Sequence, residues 1–192
     1  LKTLLKNPQF LLFLASSTAL GATSQFLSIY LSQLGAEGKV IGGAWALGAA
    51  SEIPAMLWAR RLIRKSGLER TLRLSFLFFV ARWCLLSFVP SAPWALAIQP
   101  LHGVAFGLFL VGGVTYTDRL ASPGLGTTAQ AIFSTVFVGL SSLGGAMFGG
   151  YMYDTAGLRV LFLVLSGITL AGFALAPRRT IHRGVDDDVQ DR

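Results

Sequence analysis

The chain has 192 residues, is 53% hydrophobic and only 13% charged, and has a mean hydropathy of +0.62. Soluble domains carry about 25% charged residues, so a water-soluble fold could not hide this much apolar surface and the sequence is that of an integral membrane protein. The net charge of +7 sits in short stretches between apolar runs, with no basic face interleaved with aromatics, which argues against nucleic acid as a partner.

Cys84 is the single cysteine, which excludes an intrachain disulfide and a cysteine metal cluster. It lies in an apolar run and reads as a small buried hydrophobe. The sequence opens on Leu1, and the apolar run behind Lys2 and Lys6 has the length of a full span rather than that of a signal-peptide core. The expectation is a fragment that begins just before a helix.

A membrane span needs about 20 mostly apolar residues. Six segments qualify: 9–31, 40–59, 71–89, 94–117, 127–151 and 158–176. They are too long and too non-alternating for barrel strands, which leaves helices as the way to satisfy the backbone in hydrocarbon. The fold class expected is therefore all-α, a six-helix transmembrane bundle over residues 1–177. The tail 178–192 has no apolar run and reads as a disordered cytoplasmic segment. Lys2, Lys6, the 60–73 loop, Arg119 and the tail collect the basic residues on one face, against Lys39 and Arg159 on the other. That asymmetry places both ends in the cytoplasm.

Within the spans, Gly103 and Gly107 are four apart, as are Gly145 and Gly149, a spacing that lets helix backbones approach. The glycine-rich fifth span reads as a buried or moving helix. The sixth, without an ionisable residue over 160–176, reads as peripheral.

Three ionisable residues interrupt three different spans: Glu52, Arg82 and His102. Each costs roughly 2.5–3.5 kcal/mol at a helix centre on insertion scales, so each needs a partner or a wet cavity. At ~1.5 Å per residue, Glu52 lies about 12 Å from the end marked by Arg60 and Arg82 about 13 Å from Arg73. His102 lies about 12 Å from Trp94 at the opposite face. All three fall near the midplane of a hydrocarbon core ~30 Å thick.

Their chemistry is complementary. Arg82 is a fixed cation with a planar donor fork, Glu52 can be protonated or paired, and His102 can change protonation near neutral pH. Structural pairing of Glu52 with Arg82 and helix packing by His102 are the plainer alternatives. Pro54 and Pro100 lie two residues from Glu52 and His102 and can kink their helices. Gln25, Gln99, Tyr116 and Gln130 are candidate cavity-lining residues, with Tyr30 beside them, each equally suited to hydrogen bonding between helices. Trp83 could stack on a solute, but lipid contact is the simpler expectation. No phosphate-cradling loop, metal-ligand cluster or nucleophile–base pair occurs, so no cofactor, metal or enzymatic activity is expected.

At these residues the chain resembles the C-terminal half of a major facilitator superfamily transporter. The basic turn ARRLIRKSGLER is similar to that superfamily's repeated loop motif. The segments LGAASEIPAM, VARWCLLSF and PLHGVAFGLFLVGGVTYTDR resemble the phenylpropionate-type permease family, which is related to lactose permease. The resemblance runs to about Pro177 and implies half of a twelve-helix fold. Glu52, Arg82 and His102 match lactose permease's essential Glu, Arg and His. The Glu that follows that His by three residues is replaced here by Ala105.

The implied function is a secondary transporter, a proton-coupled symporter for a small organic solute such as an aromatic acid, in the bacterial inner membrane. Glu52 and His102 would handle the proton, and Arg82 would pair with Glu52 or with an anionic solute. The implied partners are the missing N-terminal six-helix half, the lipid bilayer, protons and the solute. Alternatives are an uncoupled facilitator, an exporter, a sugar permease, or a membrane interaction subunit that does not transport.

Overall fold

A computed structural model of the chain describes residues 6–21 and 26–175, and every regular element among them is helical. Helix α1 (Pro8–Gly21) opens on a proline, whose missing N–H would be unpaired in a first turn anyway. Helix α2 (Phe26–Gln33) follows residues 22–25. Helices α3 (Gly38–Ser66) and α4 (Leu68–Ser87) are separated by Gly67 alone, at φ +90. Helix α5 (Ala92–Leu120) again carries proline in its first turn. Helix α6 (Gly126–Ser134) runs through a π-helical segment (Thr135–Leu140) into α7 (Ser141–Leu175).

Among the described residues, three stretches are long and apolar enough to cross a membrane: Gly38–Ser66, Ala92–Leu120 and Gly126–Ala174. The twenty residues of α4 include Glu69, Arg70, Arg73 and Arg82, which is why α4 falls outside that group. The Gly126–Ala174 stretch contains 49 residues. Left straight it would measure roughly 74 Å at 1.5 Å per residue, more than twice a hydrocarbon core. Gly157, at φ 79 and ψ 167, divides it. Only glycine enters that region without a Cβ penalty.

Helix α5 is the central element and packs on α3 and α4; α4 also packs on α7, and α1 packs on α7 and the π segment. The α5 core is aromatic: Phe13, Phe109, Phe133 and Phe137 are all buried, with Phe109 and Phe137 centroids 4.8 Å apart. A second group joins α2, α4 and α7. There Trp83 stacks on Phe162 at 5.7 Å and 6°, Tyr30 meets the same ring edge-on at 5.0 Å, and the Tyr30 hydroxyl donates to the Leu86 carbonyl at 2.9 Å.

Three expectations are corrected. Trp83 is buried at 1% exposure and does not face lipid, whereas Cys84 beside it is exposed. The fifth span is buried on one face only: Phe133, Phe137 and Ser141 are buried, whereas Val138, Leu143 and Met147 are 62%, 62% and 72% exposed, and a Cβ at Gly139, Gly144 or Gly150 would meet no atom within 4 Å. These three glycines line an open surface, whereas Gly145 and Gly149 are buried. The sixth span is one-sided, with Leu161, Phe162 and Leu165 buried and Val160, Leu163 and Leu170 exposed, which agrees with a peripheral position. Residues 176–192, and with them the expected tail, lie outside the described residues.

Candidate functional site: the seam between α3 and α5

The site begins with two missing side chains. A Cβ on Gly103 would lie 2.7 Å from the Glu52 backbone nitrogen, and one on Gly107 would lie 2.8 Å from the Ala55 Cβ. Real Cβ atoms do not approach so closely, so α5 can sit this near α3 only because both positions are glycine. The four-residue spacing of the sequence is thus used at the turn of α3 that carries Glu52. In the second pair, Gly149 receives the Phe26 ring.

This approach sets the Glu52 Oε1 and the His102 Nε2 3.7 Å apart, with side-chain exposures of 24% and 16%. The distance is an electrostatic contact, longer than a direct hydrogen bond. His102 Nδ1 is buried and has no hydrogen-bond partner. One face of the imidazole lies near Phe106, at 5.6 Å, and Phe79 approaches edge-on at 6.4 Å. Gly48, one turn before Glu52, lies against the ring, where a Cβ would make an ordinary contact with His102 Cδ2 at 3.5 Å. The two groups therefore face one another across the seam, partly open on one side.

Arg82 lies near enough to His102 for its charge to be felt there, but it makes no ion pair with either residue. It is 1% exposed, its guanidinium lies over the Trp83 ring at 4.2 Å, and its Nε and Nη1 have no hydrogen-bond partner. The ion pairs formed among the described residues do not include it. Phe79, one turn earlier on α4, meets the His102 ring edge-on. Ala105, where the lactose-permease pattern has a glutamate, is fully buried. Two unpaired nitrogens on a buried guanidinium are costly, and a cation–π contact of up to ~2 kcal/mol offsets only part of that cost. The arrangement sets a carboxyl group against an imidazole across the seam and leaves two nitrogens of a buried arginine unpaired nearby.

The remaining candidates divide. Gln99 is buried, but its amide donates to the Ala95 carbonyl of its own helix at 2.9 Å. Tyr116 is buried fourteen residues beyond His102, about 21 Å along α5, with its ring 4.9 Å from Phe13. It belongs to the aromatic core, away from the seam. Gln130 is half-buried on α6. Tyr30 joins helices through its hydroxyl. Gln25 lies outside the described residues. Helices α3 and α5 run through Pro54 and Pro100, whose missing N–H groups release the carbonyls of Ala50 and Leu96.

Sequence reasoning missed a groove farther along the seam. Arg60, Ile63 and Arg64 of α3 face Leu110, Val111, Val114 and Thr115 of α5 around about 440 Å³ of open space. Its signal was present in the paired arginines, which the sequence offers first as a topology marker. The π segment was also missed. Phe137 projects from it onto Phe106, which in turn contacts His102.

Comparison with known proteins identifies the scaffold. The MFS_1 like family matches residues 1–164. An uncharacterised transporter of Bacillus subtilis strain 168, YwbF, is 29% identical over 91% of this chain and 45% of its own length. The maltose permease of Geobacillus stearothermophilus is 30% identical over 88% of this chain and 44% of its length. A probable 3-phenylpropionic acid transporter of Escherichia coli K12 is 27% identical over 80% and 40%. The chain thus spans less than half the length of these relatives. Apolar helices of membrane-crossing length, ionisable groups set within them and the family match agree: the chain belongs to the MFS_1 like family of the major facilitator superfamily and is an integral membrane protein.

Proposed function

We propose that the chain forms one six-helix half of a secondary active transporter, a proton-coupled symporter for a small organic acid. The spans are α1 with α2, α3, α4, α5, α6 with the first part of α7, and the remainder of α7. A second six-helix half would supply the other wall, and the halves would rock about a midplane site to give alternating access. Both ends of this half would be cytoplasmic, in a bacterial inner membrane.

The observation that carries this reading is the Glu52–His102 contact at 3.7 Å beside a buried Arg82 whose Nε and Nη1 lack acceptors. A carboxyl group that exchanges a proton near the midplane can couple solute movement to a proton gradient. A carboxylate on the solute would satisfy the orphan guanidinium, and the name of the 3-phenylpropionic acid relative favours that solute class. In the intact transporter reconstituted into vesicles, Glu52→Gln should abolish uphill uptake driven by a pH gradient while sparing solute exchange. Undiminished accumulation by that variant removes Glu52 from the coupling path.

A sugar permease is the second reading, favoured by the 30% identity to a maltose permease. Competition separates the two. Organic acids should inhibit counterflow under the first reading, and maltose or related glycosides under the second.

A further inference from the structure

The groove at the far end of the α3–α5 seam is not used by the proposed transport chemistry. Arg60 and Arg64 are one helical turn apart on α3, both are exposed, and the ion pairs among the described residues include neither. The opposing wall is apolar, formed by Leu110, Val111 and Val114 of α5, with Ile63 beside the arginines. Thr115 is the polar residue on that wall, and its hydroxyl donates to the Val111 carbonyl at 2.7 Å. Donation to a ligand in the groove is therefore left to the two guanidinium groups.

Depth fixes what could occupy such a place. Arg60 and Arg64 lie eight and twelve residues beyond Glu52, about 12 and 18 Å along the helix. With Glu52 near the midplane, those distances bracket the edge of a hydrocarbon core whose half-thickness is about 15 Å. Leu110 and Val114 lie at matching offsets beyond His102. The groove thus sets two cations and an apolar wall side by side at the edge of the hydrocarbon core, where a lipid's phosphate and its first acyl carbons meet.

We propose that this groove is a binding site for an anionic glycerophospholipid of the cytoplasmic leaflet, with the headgroup phosphate held by Arg60 and Arg64 and an acyl chain laid against Ile63, Leu110 and Val114. The guanidinium fork matches phosphate oxygens in geometry and charge. A free phosphate has no use for the apolar wall. A zwitterionic lipid would bring its ammonium group close to two arginines. The site rests on the membrane placement of α3 and α5, not on the nature of the transported solute, so uptake assays report on the transport reading separately.

The test uses the intact transporter, purified in a non-ionic detergent and stripped of lipid. Binding of phosphatidylglycerol, phosphatidylcholine and water-soluble glycerol phosphate is followed by native mass spectrometry. Two basic residues at the membrane surface should favour phosphatidylglycerol over phosphatidylcholine by roughly thirty-fold. Arg60→Gln with Arg64→Gln should erase that preference, and Val114→Trp, which fills the groove but keeps both charges, should weaken binding of both lipids. Thermal unfolding of each variant checks that it is folded, and the single Arg64→Gln variant serves if the double variant is not. The proposal is overturned if the preference survives loss of the arginines, or if glycerol phosphate binds as well as the lipid. A photo-crosslinker at position 114 that reacts with protein in place of lipid would also overturn it, since the groove would then be a contact between halves.

Discussion

Substituting alanine for Gly103 tests whether backbone approach is what creates the site. The added Cβ would stand 2.7 Å from the Glu52 amide nitrogen and 2.6 Å from the Ser51 carbonyl carbon. Contact of this kind is comfortable at about 3.5–4.0 Å, so α5 must withdraw from α3 by ~1 Å. The Ser51 Oγ is met as well and can rotate away, but the two backbone atoms cannot, and no side-chain rotation relieves them. Overpacking of this kind costs about 1–3 kcal/mol, and the Glu52–His102 separation of 3.7 Å should open by a similar ~1 Å. The control is Gly144→Ala, in the same class of membrane helix, where an added Cβ would meet nothing within 4 Å. Thermal unfolding of the purified intact transporter should show a loss for Gly103→Ala and none for Gly144→Ala. Gradient-driven uptake should fall for Gly103→Ala as well. If the two variants unfold together and transport alike, close packing does not position Glu52 and the site needs another explanation.

Other residues give independent checks. Arg82→Met should preserve or raise thermal stability while reducing uptake, because an unpaired buried cation is replaced by a hydrophobe of similar length; a marked loss of stability would mean that the guanidinium has a partner. Trp83→Ala removes a fully buried ring stacked on Phe162 and should destabilise by about 3–5 kcal/mol, read by the same unfolding assay. Tyr30→Phe deletes the bond to the Leu86 carbonyl and should cost about 1 kcal/mol with uptake unchanged. Cys84→Ala, on an exposed face, should change neither stability nor uptake measurably.

Helical class and the ionisable residues were legible because both are matters of composition along the chain: a charge inside an apolar run needs no tertiary knowledge to be noticed. The Gly103–Gly107 approach was legible for the same reason, as a spacing. What failed was rotation about the helix axis. A membrane helix is apolar all round, so no polar face says which side meets protein. One residue is a 100° turn, enough to place Trp83 within the fold and Cys84 outside it. The fifth span misled for a related reason, since Gly139, Gly144 and Gly150 pack against nothing in this chain. Gln99 shows the limit for polar groups, because its donor is consumed by its own helix. The Arg60–Arg64 groove needed α5 beside α3 before its arginines acquired an apolar wall.

Gly157 has a consequence for the direction in which the polypeptide leaves the membrane. Its positive φ separates two apolar helices, the last two spans of the proposed six, that otherwise form one unbroken helical run. A residue with a Cβ would favour continuation, and a single rod of ~74 Å has no stable home in a bilayer of ~30 Å. One turn of backbone therefore decides whether the number of crossings is odd or even. On that parity depends which compartment receives everything downstream of Leu175, with its run of basic and then acidic residues.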